Sequence, residues 1–181
     1  MPVWLERLLI GVASLLLSIG LIAILSGFFA GRDQAGVSGS SGSRIGQRFP
    51  DLGHAHLVPG SLHPGYNSNP PTSGAHVPVP VTTQGAALTD DQLLQALEVG
   101  DVVIMYGAPH PSARLVAFAR SFGMFTPQLA AAGQAVVLAR RPGTRGLIAL
   151  AWTRTFRVSS ADDPILRQFV QQSLGHGGPG R

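Results

Sequence analysis

TDDQLLQALEVGDVVIMY, residues 89–106, changes its hydrophobic period once, and the change separates a helix from a strand. Thr89 followed by Asp90, Asp91 and Gln92 reads as a capping box, with acidic residues in the first turn where a helix favours negative charge. Leu93, Leu94 and Leu97 then form one apolar face. Gly100 suits the left-handed residue that ends a helix. Val102 to Tyr106 is an unbroken apolar run and reads as a buried strand.

Downstream, the same two patterns alternate. Gly107–Pro111 is a turn, with His110 at its end, and Ser112 caps a helix whose Leu115, Phe118, Ala119 and Phe122 recur at helical spacing before Gly123. Residues 125–133 are ambiguous, with a short helix after Pro127. Ala135 to Arg140 is a strand, and residues 141–146 form a turn long enough for a hairpin. Residues 147–158 read as one long strand with Ile148, Leu150, Trp152, Phe156 and Val158 on one face. Ser160 is expected to cap a last helix, with Asp162, Asp163 and Pro164 in its first turn. The expected class is α+β, a small mixed sheet covered by about three helices. Its last five elements resemble the second half of a thioredoxin-like fold. That is an analogy of fold alone. The turn at residues 107–111 stands where a thioredoxin carries its redox cysteines, and this chain has none.

Upstream, residues 1–7 are a short tail and residues 8–30 an apolar span without charge. At about 1.5 Å per residue the span reaches roughly 34 Å, enough for a hydrocarbon core of about 30 Å. Trp4 falls at interfacial depth. A cleaved signal peptide normally has a shorter apolar stretch of about 7–15 residues and a small-x-small site, so an uncleaved transmembrane helix is expected. Arginines flank the span on both sides, and the short amino-terminal tail favours an extracytoplasmic carboxy-terminal domain at the cell membrane. Residues 31–48, rich in Gly and Ser, read as a flexible linker. The domain is expected over 49–174, with 175–181 as a disordered tail.

Of the 181 residues none is cysteine, which excludes disulfides, thiolate metal sites and thiol catalysis. The formal charge is +4, and every basic residue counted in it is arginine. No basic block interleaves with aromatics, and no Gly-rich phosphate loop follows a strand, so nucleic-acid and nucleotide binding have no support.

Residues 49–88 have no periodicity and carry four of the six histidines: His54, His56, His63 and His76. Among them runs YNSNPPTSGAH, residues 66–76. Asn67 and Asn69 are expected to bond their own backbone two residues on. Pro70 and Pro71 fix two φ angles, and Gly74 permits a positive φ before His76. The expected product is a stiff loop, with Tyr66, Asn67, Asn69, Pro70, Pro71 and Gly74 as its structural motif, aiming His76 in one direction.

YNSNPPTSG followed by Ala75-His76 resembles the hallmark of the DUF3105 family, bacterial membrane-anchored proteins of unknown function. The resemblance runs over about residues 56–172. It extends to Leu97-Glu98-Val99-Gly100 and the strand after it, where the family usually reads Leu-Glu-His-Gly. Ala75 stands where the family usually has proline and Val99 where it has histidine. The resemblance implies layout and little chemistry. If the family's site uses that second histidine, the site here is altered.

The sharpest chemical reading is a metal site at His56 and His76, with His54 and His63 as further members, binding copper or zinc through neutral imidazoles. A His-x-His pair on an extended segment puts both rings on one face. The bland alternative is loop histidines that only hydrogen-bond or face solvent. Met105 is a soft copper ligand by type but sits in a buried strand. Glu98 is a ligand or general base by chemistry, and more simply an anchor for the loop's backbone. Convergence of His56, His76 and Glu98 within about 5 Å would decide between these readings. Catalysis has weaker support. No G-x-S-x-G elbow exists, and Ser68 and Ser73 near His76 do not by themselves make a triad. The sequence therefore favours a non-enzymatic binding module over a hydrolase. A scaffold that captures an envelope protein partner without metal is the alternative.

Overall fold

The computed structural model describes residues 44–180. The expected tail, transmembrane span and most of the linker lie outside the described residues. Among the described residues no helix is long and apolar enough to cross a membrane.

Five strands form one mixed sheet: β1 (Gln47–Arg48), β2 (Val102–Tyr106), β3 (Val136–Arg140), β4 (Leu147–Ala151) and β5 (Arg154–Val158), in the order β1-β5-β4-β2-β3. β2 and β3 are parallel, with Val102 opposite Val136, and the other pairings are antiparallel. Four helices cover it: α1 (Asp90–Val99), α2 (Ala113–Arg120), α3 (Pro127–Ala131) and α4 (Pro164–Ser173). Val102, Ile104 and Tyr106 face Leu115, Phe118, Leu166 and Phe169 from α2 and α4. Val103 and Met105 face Leu93, Ala96 and Leu97 from α1. A strand covered on both faces needs apolar side chains at every position, which is why residues 102–106 show no alternation. Each of the fully buried leucines contributes about 1.5–3 kcal/mol on leaving water.

The caps follow the sequence closely. Thr89 and Gln92 form the reciprocal capping box, Gly100 closes α1 at φ 113°, and Ser112 caps α2. α3 starts at Pro127 behind a Thr126 cap. The last helix is capped by Asp163 rather than Ser160, whose hydroxyl instead takes the Asp162 N–H.

Four expectations are corrected. Residues 147–158 are two strands, because the chain reverses at Trp152-Thr153, with Thr153 at φ 59°. Ile148, Leu150 and Trp152 stay on the α1 face, while Phe156 and Val158 fall on the opposite one. β3 and β4 do not pair as a hairpin, since β2 lies between them. The connection over residues 141–146 crosses the end of β2, where Arg141 N–H bonds Tyr106 O at 2.8 Å. Any Cβ at Gly107 would stand 2.2 Å from Thr144 O, so only glycine lets the crossing lie this close. The domain begins before residue 49: Ile45 packs on the core and β1 adds an edge strand to β5. Two polar residues carry no alternation that could announce a strand. Finally, the tail is bound, with Gly175 N–H to Gly100 O at 2.9 Å and Gly178 N–H to Glu98 O at 2.9 Å.

Candidate metal centre

The loop of residues 66–76 is embedded rather than draped. Pro70 to Gly74 are buried. Its backbone is clamped on two sides, by Gly74 N–H to Gly53 O at 2.8 Å and Thr153 N–H to Thr72 O at 2.9 Å. Two of its side chains bond to other segments and a third closes the loop on itself. Asn67 donates to Pro50 O at 2.8 Å, Asn69 Oδ1 accepts from Arg141 at 2.7 Å, and Tyr66 OH donates to Ala75 O at 3.1 Å. The expected self-bonding of Asn67 and Asn69 is therefore replaced by bonds to other segments. The Asn69–Pro70 peptide is cis.

This clamping fixes His76 against the segment before it. His76 N–H bonds Ala55 O at 3.1 Å and Leu57 N–H bonds His76 O at 2.8 Å, so His56 and His76 face each other in a parallel bridge. Opposed residues of a ladder project to one side, and the two rings meet edge to face with centroids 5.4 Å apart. Glu98, the penultimate residue of α1, completes the group. Its Oε2 lies 2.9 Å from His56 Nε2 and 3.2 Å from His76 Nε2. One nitrogen or oxygen from each of the three residues falls within 4.8 Å of the others. His76 and Glu98 side chains are 0% and 4% exposed, whereas His56, at 44%, opens to solvent.

Proton positions sharpen the picture. His76 Nδ1 is 3.0 Å from Gly74 O, and a carbonyl can only accept, so Nδ1 carries the proton. In a neutral ring Nε2 is then a bare acceptor. It is buried, makes no well-formed hydrogen bond, and faces a carboxylate oxygen. Two acceptors at this distance call for a cation or a proton between them. An imidazole whose second nitrogen is tied to a backbone carbonyl is also the usual orientation of a metal-bound histidine. Ligand bonds of about 2.0–2.2 Å at tetrahedral angles place donor atoms roughly 3.3–3.6 Å apart, close to the spacing of this group. Glu98 gains nothing from its own helix, whose negative end it occupies.

The other candidates lie elsewhere. His54 packs edge-on to Trp152, with centroids 6.3 Å apart. His63 bonds Asp91 Oδ1 at 2.7 Å, the same oxygen that accepts Val77 N–H at 2.8 Å. Burial pushes the Asp91 carboxyl up, but these bonds outweigh it and hold the group below the ordinary carboxylate value. Met105 belongs to the core. His110 is exposed at the turn before α2.

Sequence reasoning missed two parts of the site. The first is the tail, where a Cβ on Gly177 would stand 1.9 Å from Glu98 O and one on Gly178 would stand 3.3 Å from Glu98 Cγ. The second is Asp101, 1% exposed, whose Oδ1 accepts Ala135 N–H at 2.8 Å. Burial lifts its carboxyl to about 7, against the smaller pull of that N–H. An acid opening an otherwise apolar strand was the available signal. Asp101, His56 and Val99 line one cleft of about 600 Å³ between the Pro78–Thr82 strap, α1 and α3.

Among known families, the one described as Protein of unknown function (DUF3105) matches residues 63–180. The match takes in His76, Glu98 and the bound tail, and begins after His56. No curated protein matches the chain, and no solved structure does.

Proposed function

The chain belongs to the DUF3105 family, and we propose that it is a binding module for a divalent transition metal ion, zinc or copper, held by His56, His76 and Glu98. The observation that carries this reading is the buried His76 Nε2, without a well-formed hydrogen bond and set 3.2 Å from Glu98 Oε2, while Nδ1 donates to Gly74 O. Two imidazoles and a carboxylate form a nitrogen–oxygen set suited to these ions. Binding is favoured over hydrolysis because the nearby hydroxyls are engaged in the loop: Ser68 with Thr72, and Ser73 with Leu52 N–H. A single transmembrane helix at residues 8–30, with the domain on the extracytoplasmic side, is part of the same proposal. So is the thioredoxin-like reading of the second half, which the β2–α2–β3 crossover and the β4–β5 hairpin support.

Elemental analysis of the full chain purified in detergent without an affinity tag, with zinc and copper titrations of wild type and His76→Ala, tests the metal. One equivalent in wild type and at least a hundredfold weaker binding in the variant are expected. Absence of stoichiometric metal, with no shift in melting on adding either ion, would remove the reading.

A further inference from the structure

The cleft beside the histidines has a chemistry of its own. Pro78, Pro80 and Val81 wall one side, and Val99 and Ala131 the other. Against these apolar walls stand Gln95 and Asp101, each with a buried oxygen, Oε1 and Oδ2, that has no hydrogen-bond partner among the described residues. A buried acceptor left without a donor costs about 1–3 kcal/mol, and native structures rarely tolerate two in one place without a use for them. The cleft also receives the carboxyl end of α1, the negative end of its dipole. No arginine lines it.

Apolar walls, two acceptor oxygens, one of them a carboxyl oxygen, and a helix carboxyl end together select a positively charged donor on an apolar body. We propose that this cleft is a binding site for a small apolar primary amine, its ammonium held by Asp101 and Gln95 and its body by the proline-rich strap. An ammonium supplies three donors and no acceptor, which matches what the two oxygens lack. Pairing also relieves the buried Asp101 carboxyl, because an adjacent cation favours its ionised form. Apolar clefts with a few convergent polar groups, one of them with a displaced pKa, are the usual form of small-molecule sites. The site does not require the metal, although His56 borders both.

Calorimetric titration of the full chain in detergent with 2-phenylethylamine, in the presence of a chelator, tests the proposal. The uncharged 2-phenylethanol serves as the comparison and detergent alone as the blank. Saturable one-to-one binding of the amine is expected, at least tenfold tighter than the alcohol. Asp101→Asn keeps an oxygen for Ala135 N–H and so should fold, but should bind the amine at least tenfold more weakly. Ala131→Trp, which fills the cleft from its α3 wall, should lose both compounds. His76→Ala should keep amine binding, which separates this site from the metal centre. Equal binding of amine and alcohol, an Asp101→Asn variant that binds like wild type, or no saturable binding at millimolar concentration would each overturn it.

Discussion

His76 Nε2 faces Glu98 Oε2 across 3.2 Å, and the proton that could join them has been drawn to the far side of the ring by Gly74 O. This arrangement has two stable completions. Either the imidazole takes a second proton and becomes a buried cation, or a metal ion replaces that proton. Both set positive charge against the carboxylate, and they respond oppositely to loss of its charge.

Glu98→Gln distinguishes them. The amide keeps the shape and can donate an N–H to His76 Nε2. In a metal site the metal-free variant should be as stable as wild type or up to about 1 kcal/mol more so. Zinc should then no longer raise its melting temperature. With zinc at about a hundred times its dissociation constant, wild type should gain roughly 2.7 kcal/mol. In a purely structural ion pair, removing one partner should instead cost about 3–5 kcal/mol. Urea unfolding with and without zinc reads both signs.

Much of the fold could be read from side-chain pattern, and the unread parts share a cause. Thr89, Gln92 and Gly100 bound α1 because caps are local chemistry, and residues 102–106 announce burial by composition. Strand order is not local. Nothing in residues 141–146 tells that they pass over Gly107 to bring β4 against β2 rather than β3. The loop histidines were legible as candidates because His56 and His76 fit no core pattern. Choosing them over His54 and His63 required the bridge between residues 56 and 76, a contact across nineteen intervening positions of irregular chain. Gly177 shows the limit most plainly. Glycine-rich composition reads as disorder, yet the missing side chain is what lets the tail lie on Glu98 O.

Asp91 ties Val77, the residue before the strap, to α1, accepting Val77 N–H at 2.8 Å and bonding the His63 ring at 2.7 Å. Its folded carboxyl titrates below the unfolded value of 3.8. Its contribution is thus present above 3.8 and is lost as pH falls through the lowered folded value. Asp91→Ala should cost about 1–3 kcal/mol at pH 7, mainly through the orphaned Val77 N–H. It should also speed amide exchange at Val77 in hydrogen-exchange mass spectrometry. Unchanged exchange there would show that the strap is held by other contacts.

Asp101 has the opposite sign. Below its unfolded value of 3.8 the carboxyl is protonated in both states and contributes no pH dependence. From 3.8 to about 7 only the unfolded chain ionises, so stability falls as pH rises, and above about 7 the penalty is level. A shift of this size corresponds to on the order of 4 kcal/mol. Asp101→Asn should therefore match wild type near pH 4 and exceed it by a few kcal/mol at pH 8. Denaturant midpoints at the two pH values check this, and parallel curves for the two proteins would refute it.

The tail gives the sharpest geometric prediction. A methyl group at residue 177 cannot coexist with Glu98 O at 1.9 Å, so Gly177→Ala must lift the segment that donates Gly178 N–H to that same oxygen. The sheet and its two cores do not depend on this contact, whereas the end of α1 does. Metal affinity should fall about tenfold while the melting temperature of the metal-free chain changes little. Gly65→Ala, whose added Cβ meets nothing within 4 Å and whose φ lies outside the left-handed region, should leave both unchanged. Zinc titration of the two variants, followed by calorimetric melting, separates a tail that positions Glu98 from one that merely covers it. Equal affinity in both variants would assign the tail the covering role.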